Sequence, residues 1–155
     1  MRRHLPDAEA TELLARQFLQ CLPADVAGWS VLLEGELGAG KSTFARALIK
    51  ALGHAGAVPS PTYTLVEPYQ VAEMVIYHID LYRVSEEQEL RYLGWTDLDD
   101  GLKLIEWPGR APGLTGAADI EVALDYAGTG RDARIRGLSE RGTAVVGVLE
   151  QQPDS

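Results

Sequence analysis

The sequence predicts an α/β fold: a mixed β-sheet flanked by helices, with antiparallel hairpin strands in the sheet. Three observations carry that prediction. A short apolar run, "WSVLL", leads through a glycine-rich turn into a helical pattern. Two extended stretches, "PSPTYTLVEPYQ" and "MVIYHIDLYR", lie so close together that they read as antiparallel neighbours. A second pair, "ADIEVALDY" and "RDARIRGL", flanks the turn "AGTG". The 155 residues fit one domain over 1–155, and a hydrophobic fraction of 46% favours a packed core over disorder.

The elements follow in order. Asp7 to Leu22 alternates helically, with Leu13, Leu14, Phe18, Leu19 and Leu22 on one side. Pro6 and Asp7 suit its start, and Pro23 ends it. Trp29 to Leu33 reads as a buried strand. Lys41 to Leu52 reads as a helix burying Phe44, Leu48, Ile49 and Leu52, with Gly53 as its stop. The first hairpin turns between Tyr69 and Met74. Ser85 with Gln88 resembles a capping box that opens a helix to about Leu93. "DLDDGLKLIEW" is a turn, then a strand. "TAVVGVL" fits a last strand or a helical turn, and its β-branched content favours the strand.

The net charge is −9. Such a surface does not neutralise phosphates over a broad face, so any service to RNA or DNA is expected through another protein. No apolar run reaches the roughly 18 residues that a membrane helix needs. The basic start "MRRH" is followed by Pro6, Asp7 and Glu9 rather than an apolar segment, which speaks against a secretory signal. Cys21 is the one cysteine, and it reads as a small buried hydrophobe. A cytoplasmic protein is expected.

Gly35, Gly40, Lys41 and Ser42 match the phosphate-loop pattern G-x-x-x-x-G-K-[ST], in the strand–loop–helix context that the pattern requires. Gly38, Ala39 and Gly40 form the turn, where the glycines let backbone N–H groups point at an anion. The helix N-terminus adds partial positive charge. Lys41 supplies a cation for the β and γ phosphates, the Ser42 hydroxyl is a Mg²⁺ ligand, and Thr43 is placed for an α-phosphate oxygen. No N-K-x-D guanine-reading sequence occurs, so ATP is the expected nucleotide.

Hydrolysis also needs an acid at a neighbouring strand end, to order Mg²⁺ or position water. Asp80 ends "MVIYHID" and Glu106 ends "LKLIE". Spacing alone does not say which touches the metal. Thr62 and Thr64 fit either a γ-phosphate sensor or ordinary strand positions. Trp107 follows Glu106, so alternation faces it away, as core or as a cleft lining. His78 falls on the face of Asp80, and His54 is expected to be exposed. Two other classes share the loop: a small phosphotransferase and a nucleotide-dependent binding module. The hairpin after the loop helix, and the lack of an arginine-rich lid, disfavour the phosphotransferase.

"GELGAGKSTF", "SPTYTLVEPY", "YHIDLYR" and "LIEWP", in this order and spacing, resemble the bacterial TsaE (YjeE) family over roughly Thr11 to Arg136. The resemblance implies a P-loop NTPase-like fold and a small ATPase of tRNA threonylcarbamoyladenosine biosynthesis. Such a protein binds ATP and Mg²⁺, hydrolyses ATP slowly alone, and works with the TsaB and TsaD proteins. That pair modifies adenosine 37 of tRNAs reading codons that begin with A. By the same resemblance, Ser42 and Glu106 match the Mg²⁺ ligands and Asp80 the aspartate required for hydrolysis. Trp107 matches a tryptophan beside the metal acid, Thr11 a threonine by the base, and Arg131 a late arginine near the nucleotide. The chain departs from the pattern in "GWTDLDDGLK", where members often carry a Tyr-Phe pair, and in having Ser42 where many have threonine.

Overall fold

The computed structural model describes residues 1–92 and 94–154. Among them, seven strands form one sheet: β1 (Arg2–Leu5), β2 (Ser30–Glu34), β3 (Val66–Val71), β4 (Met74–Asp80), β5 (Leu102–Glu106), β6 (Ile120–Ala127) and β7 (Gly130–Gly137). Their order across the sheet is β1-β7-β6-β2-β5-β4-β3. The four middle strands, β6, β2, β5 and β4, run parallel, and both margins are antiparallel hairpins. The sheet is therefore mixed, and the two hairpins expected from the sequence are β3–β4 and β6–β7.

The parallel strands are apolar on both faces because helices cover both faces. Val31 and Leu33 of β2 pack into one core with α1 (Ala8–Cys21), α2 (Lys41–Leu52) and α5 (Glu140–Leu149). Leu32, between them, faces the opposite core with Ile79, Leu81, Leu90, Trp95 and Ile105. That second layer is built from α3 (Gln88–Tyr92), α4 (Pro112–Thr115) and 3₁₀ turns at Trp95–Asp100 and Pro108–Arg110. Phe18 of α1 meets Phe44 of α2 edge-on at 5.7 Å between ring centroids, which seats the loop helix against the sheet.

Two expected elements are corrected. "TAVVGVL" is not a strand but most of α5. Ser139 caps that helix by accepting the Gly142 N–H, and Val145, Val146 and Leu149 recur at helical spacing toward the core. The capping box at Ser85 closes on Glu89, not Gln88: the Glu89 carboxylate accepts from the Ser85 hydroxyl at 2.9 Å and the Glu86 amide at 3.2 Å. Leu93, the expected end of that helix, lies outside the described residues. The segment before α1 carries a further strand that the sequence pattern does not signal: β1 pairs antiparallel with β7, from Arg2 opposite Arg134 to Leu5 opposite Arg131. Cys21 is half-buried, and burial pushes its thiol up from the usual 9.0. His54, expected to be exposed, is instead half-buried, because it packs edge-on to Tyr69 at 4.9 Å.

A buried acid ties β2 and β6 to α5. The Asp119 carboxylate accepts from the Ser30 amide at 3.0 Å, the Ser139 hydroxyl at 2.8 Å and Arg141 at 2.8 and 3.1 Å. Burial pushes this carboxyl up, but the hydrogen bonds from Arg141, Ser139 and Ser30 together outweigh it and hold the group below the usual 3.8. A depressed acid stabilises the fold above its unfolded value, and that stability is lost as the pH falls through the folded value. Asp119→Asn is expected to be less stable than the parent at pH 7. The gap should narrow below about pH 4, where the parent loses its advantage. Urea unfolding of both proteins across this range checks the sign; a gap that widens in acid would refute the assignment.

Candidate nucleotide site

The parallel register brings three strand ends level. Leu33 is opposite Glu106 across β2–β5, and Asp80 is opposite Glu106 across β5–β4. The two acids thus stand side by side at the carboxyl edge of the sheet, beside the turn from β2 into α2, where ligands of open α/β sheets bind. A cleft of about 240 Å³ there is lined by Gly38, Gly40, Lys41, Ser42, Thr43, Ser60, Thr62, Asp80, Glu106 and Trp107. Other surface grooves are as large or larger, but among the described residues none of them joins the loop lysine to two strand-end acids.

The loop backbone is shaped for an anion. Gly40 caps α2 at a φ of 110°, and the helix has no side-chain cap, whereas α1 and α5 are capped by Asp7 and Ser139. The first-turn amides of α2 are therefore left for a ligand. The loop carbonyls are held from the other side. Tyr126 donates its hydroxyl to the Leu37 carbonyl at 2.7 Å. Arg131 stacks on the Tyr126 ring at 4.3 Å and donates to the carbonyls of Ala39 at 3.1 Å and Gly38 at 3.2 Å. Gly38 takes a φ of 80°, which favours glycine, and a Cβ there would displace the Tyr126 hydroxyl, 2.6 Å away.

Lys41 is buried. Its ammonium donates to the Gly35 carbonyl at 2.5 Å and sits 3.7 Å from the centre of the Trp107 ring. Burial pulls its pKa down, against the attraction of Glu106, Asp80 and Glu34. Alternation along β5 faces Trp107 away from Glu106, as core or as a cleft lining, and it is the cleft that it lines. The strand ends at Glu106, and Trp107 takes a φ of 57°, which swings its ring back beneath the lysine. Sequence periodicity cannot see that left-handed residue.

Each acid is tethered by uncharged or imidazole donors. Asp80 accepts the Tyr82 amide on one carboxylate oxygen at 2.9 Å and the Thr62 hydroxyl on the other at 3.2 Å. Thr62 reaches it from a turn closed by the Leu65 amide on the Pro61 carbonyl, while Thr64 is exposed and outside the cleft. Ser42 Oγ lies 3.3 Å from both oxygens of Glu106, and His78 Nε2 lies 2.6 Å from its Oε2. A hydroxyl facing a carboxylate, beside a phosphate loop, is a hard oxygen donor set that fits Mg²⁺.

Thr11 and Arg131 line a separate hollow of about 180 Å³ with Asp7, Thr129 and Gly130. It shares Gly38, Gly40 and Thr43 with the cleft, so the two lie on either side of the loop. Of the expected site residues, Lys41, Ser42, Thr43, Thr62, Asp80, Glu106, Trp107, Gly38, Gly40, Thr11 and Arg131 line one of the two hollows, Ala39 lies in the loop between them, and Thr64 lines neither. Tyr126 and the grip of His78 on Glu106 were not anticipated. The strand alternation put His78 on the right face, but the tyrosine left no signal beyond its place beside the hairpin turn.

The family model for threonylcarbamoyl adenosine biosynthesis protein TsaE matches residues 5–134. The chain belongs to the TsaE family. A tRNA threonylcarbamoyladenosine biosynthesis protein TsaE from Haemophilus influenzae is 42% identical over 118 residues, covering 75% of each chain. The TsaE of a Synechocystis species is 40% identical over 120 residues, covering 74% of each. The TsaE fold itself is matched by the crystal structure of YdiB from Bacillus subtilis, with a TM-score of 0.79 and 22% identity, over 97% of this chain and 94% of that one. No helix among the described residues is long and apolar enough to cross a membrane.

Proposed function

We propose that this chain is a Mg²⁺-dependent ATPase, one domain over residues 1–155, that serves tRNA threonylcarbamoyladenosine biosynthesis. The level placement of Asp80 and Glu106 beside Lys41 and Ser42 is the observation that carries this reading. Family membership supplies the pathway. In this reading the chain acts in the cytoplasm with the TsaB–TsaD pair, which modifies adenosine 37 of tRNAs that read codons beginning with A. With a net charge of −9, it meets tRNA only through those partners.

The roles follow from the chemistry of each group. The amides of Gly38, Ala39, Gly40 and the α2 first turn, with Lys41 and Thr43, hold the phosphates of ATP. Thr11 and Arg131 flank the nucleoside, and Trp107 keeps the lysine ammonium aimed while excluding water. Ser42 and Glu106 hold Mg²⁺. When bound, the ion neutralises charge that builds on the phosphates. Asp80, kept in place by Thr62 and the Tyr82 amide, orients the attacking water and accepts its proton. Turnover is expected to be low without partners.

Adding purified TsaB–TsaD should raise ATP hydrolysis and give an ATP-dependent complex on size-exclusion chromatography. Neither a gain in hydrolysis nor a complex would remove the partnership from this reading.

A further inference from the structure

His78 stands apart from the roles assigned so far. It is 1% exposed on β4, and its Nε2 lies 2.6 Å from Glu106 Oε2. A carboxylate oxygen accepts, so Nε2 donates. The other ring nitrogen, Nδ1, is buried with no hydrogen-bond partner. Buried polar atoms are seldom left unmet, and a histidine kept only to fill the core would be replaced by an apolar residue at no such cost. The single bond it makes falls on the acid beside Ser42.

The charges around Glu106 indicate what that bond does. Lys41 is drawn electrostatically to Glu106 and Asp80. Yet none of the ion pairs among the described residues includes Lys41. Its ammonium rests on the Gly35 carbonyl and the Trp107 ring instead. Asp80 is kept away from it by the Tyr82 amide and Thr62. Glu106 has only His78 and the longer contacts from Ser42. Without the imidazole, nothing equivalent would stop Glu106 from closing on the lysine and vacating the position beside Ser42.

We infer that His78 is a positioning residue: it holds the Glu106 carboxylate off Lys41 and beside Ser42, ready for a divalent cation. The inference rests on the reading of Glu106 as the acid that holds Mg²⁺. Removing a partner that orients a metal ligand weakens metal binding about 10- to 100-fold. Gln places its amide nitrogen near the position of Nε2 and can donate the same bond, whereas Leu cannot donate and Asn is too short to reach.

The test uses a fluorescent ADP analogue and titrates Mg²⁺ into the full-length protein, so the readout is binding. His78→Leu should raise the half-saturating Mg²⁺ concentration at least about 10-fold. His78→Gln should stay within about threefold of the parent, and affinity for the analogue in EDTA should change little in either. Parent-like Mg²⁺ dependence in His78→Leu would overturn the inference. If that variant does not fold, His78→Asn takes its place against His78→Gln; equal Mg²⁺ dependence in these two would overturn it as well. Glu106→Gln separates the layers. If Glu106→Gln leaves Mg²⁺ dependence unchanged, the reading of Glu106 is wrong and the inference goes with it. If Glu106→Gln weakens Mg²⁺ but His78→Leu does not, only the role of His78 is lost.

Discussion

Asp80→Ala is expected to bind ATP with an affinity within about threefold of the parent and to lose ATP turnover by about 100- to 10,000-fold, the range for removal of a general base. The separation follows from geometry. Both oxygens of Asp80 are taken up by the Tyr82 amide and the Thr62 hydroxyl, and neither bonds the loop that is expected to hold the phosphates. Removing the carboxylate leaves Lys41, Thr43 and the first-turn amides of α2 in place. It also removes one negative charge beside the phosphates, which offsets any loss of packing. Stopped-flow binding of a fluorescent ATP analogue, set beside single-turnover hydrolysis, reads the two effects apart. Cells lacking the parent gene should not be rescued by the variant. Full rescue would favour a nucleotide-dependent binding module whose output needs no hydrolysis. Thr62→Ala should lower turnover less, because the Tyr82 amide still holds the acid.

Lys41→Met is the second large effect, and it acts on binding. Charge-assisted hydrogen bonds contribute about 1.5–3 kcal/mol each, so loss of an ammonium expected to bond both the β and γ phosphates should weaken ATP at least about 100-fold. Among the described residues no other lysine or arginine lines the cleft, so loss of this one also leaves the cleft repelling phosphate. The stability of the protein should move the other way. Burial lowers the lysine pKa despite the nearby acids, so the folded chain holds that proton less tightly than the unfolded chain does. Carrying the charge at neutral pH therefore works against folding, and methionine fills a similar volume without it. Thermal melts should show an unchanged or higher Tm together with the lost affinity. A fall in Tm would assign Lys41 a structural role instead.

Much of this site was legible in the sequence because its parts sit at strand and helix ends, where composition changes abruptly. The loop announces itself through Gly35, Gly40, Lys41 and Ser42, and Asp80 and Glu106 each close an apolar run. What stayed hidden depends on residues distant in sequence or on a single backbone angle. The level placement of Asp80 and Glu106 is set by strand register. Trp107 turns inward through one left-handed residue. α5 is not legible in the sequence because a β-branched run fits either state until the Ser139 cap and the packing against β7 decide it. β1 is four residues long, too short for alternation to register.

The hold of the β6–β7 hairpin on the phosphate loop bears on the thermodynamics of ligand capture. The carbonyls of Leu37, Gly38 and Ala39 are fixed by Tyr126 and Arg131 in the free protein. The loop's conformational entropy is thus surrendered during folding, not when nucleotide arrives. Affinity then reflects contacts and charge with little deduction for ordering. Damage at the hairpin would return that deduction to the binding equilibrium.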